Sequence, residues 1–328
     1  MLLILPTQLF LIKYLQNYKK ERVILYEHPQ YFTKYNFNKK KLILHRASMK
    51  YYFDYLLKNK FDVKYIEYKQ KLPNEKYIYF DPIDKINIKG IMIESPNFIL
   101  TKDIYASYRK KTDKFLFNNF YLWSKKEIDL YPELKSLDKS NRERYNNNVK
   151  IPKIPSNKND KNYINEAVLY VENNFPNNYG NTDNFIYPVT HKTAKKWFNN
   201  FINNKLNQFG PYQDFIKKDN NFMFHSVLSS SINIGLLNPN EIIEILHKYK
   251  KKVLINSFEG YLRQLFWREY QRYTHIYIQW GKTNYFGNKN KLSKEWYSGD
   301  LGVEPVDDLI KSGFDTGYIH HIGRLMVI

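Results

Sequence analysis

The chain has 328 residues and a mass of 39.8 kDa, is 43% hydrophobic and 26% charged, and contains no cysteine. That length suits two domains with separate cores, and the missing thiols exclude a disulfide framework, a thiolate zinc site and a cysteine-ligated iron–sulfur cluster. Lys and Arg number 52 against 32 Asp and Glu, a formal charge of +20, which predicts attraction to a polyanion, most often nucleic acid. A coding bias toward Lys, Asn, Tyr and Ile produces the same excess, so charge alone leaves both readings open.

No apolar run reaches the ~18–20 residues of a membrane span, so the opening Met1-Leu2-Leu3-Ile4-Leu5 reads as a buried strand. Val23 to Tyr26, Val63 to Ile66, Tyr77 to Phe80 and Ile91 to Ile93 are further short runs fit for parallel strands. Leu42 to Leu44 is either another strand or the opening of a helix. From Ser48 the positions Met49, Tyr52, Phe53 and Leu56 follow helical spacing. Alternating strand and helix predicts a parallel α/β sheet with right-handed crossovers. Residues 138–163 are polar, Pro-punctuated and aperiodic, and read as a linker. The expected division is an α/β domain over 1–140, a linker over 141–163 and a helical domain over 164–328.

In the second half Ala194, Trp197, Phe198, Phe201 and Ile202 form one stripe behind a Thr193 cap. Asn238-Pro239 reads as a cap with Pro at the first helical position. A helix from about Ser257 carries Leu262, Leu265, Phe266 and Tyr270. A last one is expected from about Asp315 through Met326, halted at apolar residues, so that this end either docks into another surface or is cut short. Lys39-Lys40-Lys41 and Lys250-Lys251-Lys252 read as solvated faces.

Three segments carry chemistry. His225 to Ser231 clusters hydroxyls that can hold a pyrophosphate, or that cap a helix. Tyr261 to Tyr270 mixes a packing stripe with Arg, Gln, Trp and Glu, and reads as an amphipathic helix or a site wall. Tyr318 to Arg324 sets His320 and His321 beside Arg324, as a cofactor pocket or a structural pair. Metal binding is not expected, because adjacent helical residues point about 100° apart. No Walker loop, dinucleotide fingerprint or hydrolase triad is present.

In order and spacing these motifs resemble the photolyase/cryptochrome flavoproteins, in their bacterial photolyase-related branch. The carrying residues include Leu5-Pro6-Thr7-Gln8-Leu9-Phe10, Tyr26-Glu27-His28-Pro29, His45-Arg46-Ala47-Ser48-Met49, Ser95-Pro96-Asn97-Phe98 and Asp138-Lys139-Ser140-Asn141-Arg142. They continue with Phe209-Gly210-Pro211-Tyr212-Gln213-Asp214, Trp267-Arg268-Glu269-Tyr270, Trp296-Tyr297-Ser298-Gly299, Pro305-Val306-Asp307 and Gly317 to Met326.

The resemblance implies a Rossmann-like α/β domain, often holding an antenna chromophore, joined to an all-helical domain that buries FAD. It implies light-driven repair of pyrimidine dimers flipped out of UV-damaged DNA, and an intracellular location. By position it assigns Tyr212, His225, Ser226, Leu228, Ser229, Tyr261, Arg268 and Arg324 to the flavin. Gln264, Trp267 and His321 fall to the lesion, with His321 a proton donor that, like Gln264, leans toward (6-4) chemistry. Glu27, Ser48 and Met49 fall where relatives contact a lumazine antenna. The first cysteine of the branch's iron–sulfur cluster falls at Pro305, so no cluster is expected. The resemblance also implies a further C-terminal part of the flavin domain, so the chain is expected to be incomplete alone and completed by a separate C-terminal fragment. Two alternatives stand beside this: a degenerate, non-catalytic form that binds DNA or a chromophore, and a generic basic nucleic-acid-binding protein.

Overall fold

Five short apolar runs pair side by side as parallel strands; the central ones bury on both faces, while the edge runs Val63–Ile66 and Gly90–Ile93 stay partly exposed. The computed structural model describes residues 1–141, 143–146, 148–218, 220–278 and 284–328; Arg142 and Asn147 of the expected linker and motif lie outside them. The strands are β1 (Leu2–Ile4), β2 (Val23–Tyr26), β3 (Val63–Ile66), β4 (Tyr77–Phe80) and β5 (Gly90–Ile93), in the order β3-β2-β1-β4-β5, all parallel. Strand order reverses between β1 and β4. At the β5 edge Gly90 has φ 149°, and a Cβ there would lie 1.8 Å from the Tyr77 carbonyl oxygen, so only glycine lets the two strands close.

Helices α1 (Pro29–Phe32) and α2 (Lys39–Lys58) fall between β2 and β3. Asn38 caps α2 by accepting from the Lys40 N–H at 2.8 Å, and Leu42 to Leu44 lie inside it, which settles the strand-or-helix alternative for that run. After the sheet come α3 (Lys102–Lys111), α4 (Phe117–Glu127), α5 (Lys161–Asn174), α6 (His191–Asn204), α7 (Leu206–Tyr212), α8 (Ser229–Asn233), α9 (Pro239–His247), α10 (Ile255–Tyr277), α11 (Glu295–Ser298) and α12 (Glu304–Thr316). Helix α5, which opens the expected second domain, packs along α2, while α10 packs on α4, α7 and α9. One hydrophobic core runs from Leu2 through Tyr273. No described helix is long and apolar enough to cross a membrane.

Three expectations are corrected. Helix α6 is capped by Thr190, whose side chain accepts from the Thr193 N–H; Thr193 is inside the helix and hydrogen-bonds Asp160 at 2.7 Å. Lys40 is buried, donating to Asn181 Oδ1 and the Asp183 carbonyl, so the Lys39–Lys41 run is not one solvated face. The last helix is not continuous: α12 ends at Thr316, Gly317 takes φ 70° as its left-handed cap, and a short turn re-forms only at Gly323–Val327. Gly317 was itself the stop signal.

The positions expected for an antenna are fully enclosed. Glu27, Ser48 and Met49 are each 0% exposed. Glu27 accepts from Arg46 (2.9 Å), Tyr65 (2.5 Å), the Tyr68 N–H (3.3 Å) and Tyr170 (2.8 Å), which uses both carboxylate oxygens internally. Ser48 donates to the Leu44 carbonyl. Glu27 therefore ties the end of β2 to α2, β3 and α5, while Ser48 and Met49 lie inside α2.

Arg46 also meets Glu67 at 2.8 Å and Glu166 at 2.6 Å, both carboxylates being partly exposed. Replacing Arg46 by Met leaves a buried carboxylate without its cation and is expected to cost about 3–5 kcal/mol. Glu166→Gln, at the exposed end of the network, is expected to cost about 1 kcal/mol or less. Urea unfolding midpoints at unchanged slope read both.

Candidate functional site

The loop before α8 is strained. Met223 and Val227 have φ 34° and 55°, left-handed values that L residues avoid, most of all a β-branched one. Between them sits His225, buried and edge-on to Phe209 at 6.0 Å. Asn220 helps set the bend by accepting from the Met223 N–H at 2.8 Å.

The C-terminal segment comes to meet it. His225 and His320 ring centroids are 4.1 Å apart at 84°, and His225 and His321 are 5.8 Å apart. His320 and His321 stack at 4.7 Å and 19°. The expected 100° divergence fails because His320 precedes the turn rather than lying in a helix. Ligand nitrogens of the three imidazoles consequently lie within 4.8 Å of one another. Their protonation decides what they can hold. His320 Nδ1 accepts from the Ile322 N–H at 3.0 Å, so in the neutral ring the proton resides on Nε2. His321 Nε2 lies 3.2 Å from Asp214 Oδ1, which orients it as a donor. The trio is a mixed donor–acceptor array better suited to a polar organic ligand than to a cation.

His225 Nε2 and His320 Nε2 are buried without partners, as are Ser230 Oγ and Ser231 Oγ. The serines do not cap α8, whose N-cap is Leu228 with no side-chain bond; the capping alternative is thereby removed. Ser229 is exposed, and shares with Arg324 a cavity of about 560 Å³ also lined by Trp296, Phe314 and Tyr318, a volume within the usual small-ligand range. Ser226 is half-buried and Leu228 is fully buried. Tyr212 lies behind the loop, tilted on Phe224 at 5.4 Å and edge-on to Tyr145 at 5.3 Å.

Lys205, which the sequence left unassigned, is 3% exposed, and its Nζ reaches only the His225 carbonyl, at 3.5 Å. Burial lowers its pKa to about 8. In a lysine-rich chain nothing in the sequence separates it from a solvated lysine. Asp214 was legible only as a letter of the Phe209–Asp214 motif.

Helix α10 carries the remaining expected residues. Tyr261 is buried between Phe201 (4.5 Å) and Phe209 (5.6 Å). Gln264 is half-buried one turn on. Trp267 stacks on Phe117 at 3.7 Å and 12°. Arg268 is not brought to the imidazoles. It donates to the Asn97 carbonyl at 2.7 Å and to Asn233 Oδ1 at 3.0 Å, and lines a different cavity at the sheet edge.

Burial, with the neighbouring imidazole second, lowers the His320 pKa from 6.5 to about 4, and burial likewise holds His225 well below its ordinary value. Below pH 6.5 the unfolded chain takes up protons that the folded chain excludes. Stability is therefore full above that pH and is lost as pH falls toward 4, by about 1.4 kcal/mol per unit for each such group. Groups facing the pair are His321, Asp214, Arg324 and Lys205. The urea midpoint is expected to fall steadily from pH 7 to 5, and His320→Gln to flatten that slope.

The model of the family described as deoxyribodipyrimidine photo-lyase-related protein matches residues 2–81 and 79–187. A protein of uncharacterised function from Acanthamoeba polyphaga mimivirus is 46% identical over 110 residues, which cover 32% of this chain and 85% of that one. The (6-4) photolyase of Agrobacterium fabrum is 31% identical over 197 residues, 58% of this chain but 39% of the enzyme, so the match spans less than half of that enzyme's length. In three dimensions the fold is similar to a bacterial class III photolyase from Agrobacterium tumefaciens, with TM-score 0.60 and 13% identity over 99% of this chain and 71% of that one. With more than half of its length matched by that model, the chain belongs to the deoxyribodipyrimidine photo-lyase-related family.

Proposed function

We propose that the protein is a flavin-dependent, light-driven DNA repair protein that acts on pyrimidine dimers, with the (6-4) lesion favoured. The observation that carries this reading is the packing of His225, at the head of the serine segment, against His320 and His321. Four polar atoms of the two segments, from His225, His320, Ser230 and Ser231, are buried without partners among the described residues. Such atoms cost stability unless a ligand meets them, and hydroxyls with ring N–H donors suit the phosphates and ribityl chain of FAD.

In this reading Ser226, Ser229, Ser230 and Ser231 bind the phosphates, assisted by Lys205 as the adjacent buried cation. His320 donates from Nε2, and Tyr212, Leu228 and Tyr261 wall the hollow and exclude water. Bound FAD would supply an electron on excitation and take it back afterwards. His321, oriented by Asp214, holds a proton at the ring edge for transfer to the lesion. Trp267, backed by Phe117, offers an aromatic face to the flipped bases, and Gln264 on the same helix reads their edges. Arg268 acts as a positioning residue through Asn97. Arg324, beside Ser229, faces the isoalloxazine end. Leu325, Met326 and Ile328 beside it are exposed and offer an apolar surface. The charge of +20 supplies salt-sensitive attraction to the duplex.

The test is photorepair. Protein loaded with FAD, with and without a C-terminal partner segment, is illuminated with oligonucleotides carrying one (6-4) photoproduct or one cyclobutane dimer. Light-dependent loss of the lesion is expected, and His321→Ala should reduce (6-4) repair by about 100-fold or more while flavin binding persists. Stable flavin loading without repair of either lesion would reject the enzymatic reading and leave the non-catalytic one.

A further inference from the structure

Helix α6 has two unlike faces. Trp197, Phe198, Phe201 and Ile202 are buried. Phe201 packs on Tyr261 at 4.5 Å and on Phe209 at 5.9 Å, and Phe209 in turn meets His225. That face points inward, toward the His225 loop. The outer face carries Lys192, Lys195, Lys196, Asn199 and Asn203, all exposed. Lys192, Lys196, Asn199 and Asn203 fall at i, i+4, i+7 and i+11, so they share one stripe, with Asn199 and Asn203 nearly opposite Phe201.

A basic turn extends the stripe. The Tyr249 hydroxyl donates to Asn203 Oδ1 at 2.8 Å, and the Leu254 N–H donates to Asn207 Oδ1 at 2.9 Å. These bonds seat the turn between α9 and α10 at the C-terminal end of the stripe, and with it Lys248, Lys250, Lys251 and Lys252. Lys250 meets Glu133 at 3.7 Å. Lys192, Lys195, Lys196, Lys248, Lys251 and Lys252 meet no carboxylate among the described residues. Lack of acid sets this face apart from the chain's general excess of lysine. Helices α2 to α5, α9, α10 and α12 each carry at least one Asp or Glu, and α6 carries none.

Like charges one helical turn apart repel, so an anion that spans them is bound favourably. Lys192 and Asn203 stand roughly 16 Å apart along the axis, which matches about five phosphates of one strand. The asparagine amides add neutral donors for phosphate oxygens between the two lysine groups. Helix α6 exposes no apolar side chain for a bilayer to take up, although Leu254 and Ile255 beyond the turn are exposed.

We propose that the outer face of α6 and the Lys248–Lys252 turn form a second nucleic-acid contact, facing away from the imidazole hollow. It holds the phosphate backbone of a duplex and reads neither sequence nor damage.

The test uses the full chain, in the dark and without flavin, so its outcome is separate from that of photorepair. Binding of a short, undamaged, dye-labelled duplex is followed between about 50 and 200 mM salt. Lys192→Gln, Lys195→Gln and Lys196→Gln together should weaken binding about tenfold or more and lower the log–log salt slope by about 2–3. The melting temperature should not fall. Lys64→Gln, Lys71→Gln and Lys76→Gln remove the same charge from exposed positions elsewhere and should leave the slope unchanged. Equal loss in both triple variants would reduce the effect to net charge and overturn the proposal, as would a slope that neither variant changes. Phosphatidylserine vesicles form the other arm. Vesicle binding that falls with the α6 substitutions while duplex binding holds would also overturn it.

Discussion

The docking of one helix onto the carboxyl edge of the sheet holds this molecule together. Two consecutive turns of α10 contribute. Arg268 donates to the Asn97 carbonyl, Glu269 accepts from the Leu100 N–H at 3.0 Å and the Tyr105 hydroxyl at 2.8 Å, and Arg272 pairs with Asp81 and Glu94. Glu269 is wholly buried and its pKa is raised by that burial. Asp81 behaves oppositely: burial would raise it, but Lys102 and Arg272 overcome burial and hold it below the usual carboxylate value. Buried charges of this kind contribute little net stability, yet they exclude other seatings, because a shifted helix would strand them.

That seating has consequences along the whole rod. An α-helix advances about 1.5 Å per residue, so Tyr261 stands roughly 16 Å from Arg272 on a single stiff element. The pairs at the sheet edge thereby set where Tyr261, Gln264 and Trp267 stand relative to α7 and the strained His225 loop. Toward one end of α10, Arg268 and Arg272 line the cavity at the sheet edge, and toward the other Tyr261 packs on Phe201 and Phe209.

The parts legible in the sequence were those fixed locally. Short apolar runs gave all five strands to within a residue: the central ones because strands buried on both faces tolerate little else, the edge ones because Val63, Tyr65 and Ile91 are themselves strand-favouring residues. Asn238-Pro239 gave its cap. The approach of His225 to His320 was readable only through the family pattern, since nothing local joins residues so far apart. Other features depend on partners that are distant in sequence. Lys40 is buried because Asn181 and Asp183 reach it, and Arg272 finds Asp81 across 191 residues. Glu27, Ser48 and Met49 were expected at a ligand and are instead enclosed, because Arg46, Tyr65 and Tyr170 close over them. The break at Gly317 was visible as a glycine, but the apolar residues beyond it suggested a continuing helix.

The central claim is that the hollow between the serine segment and the imidazole pair receives FAD. Titrating the full chain into FAD and following flavin emission tests this most directly. Saturable change at one equivalent, weakened by His225→Phe, is the predicted result. Emission that stays linear with flavin and is blind to that substitution would contradict it.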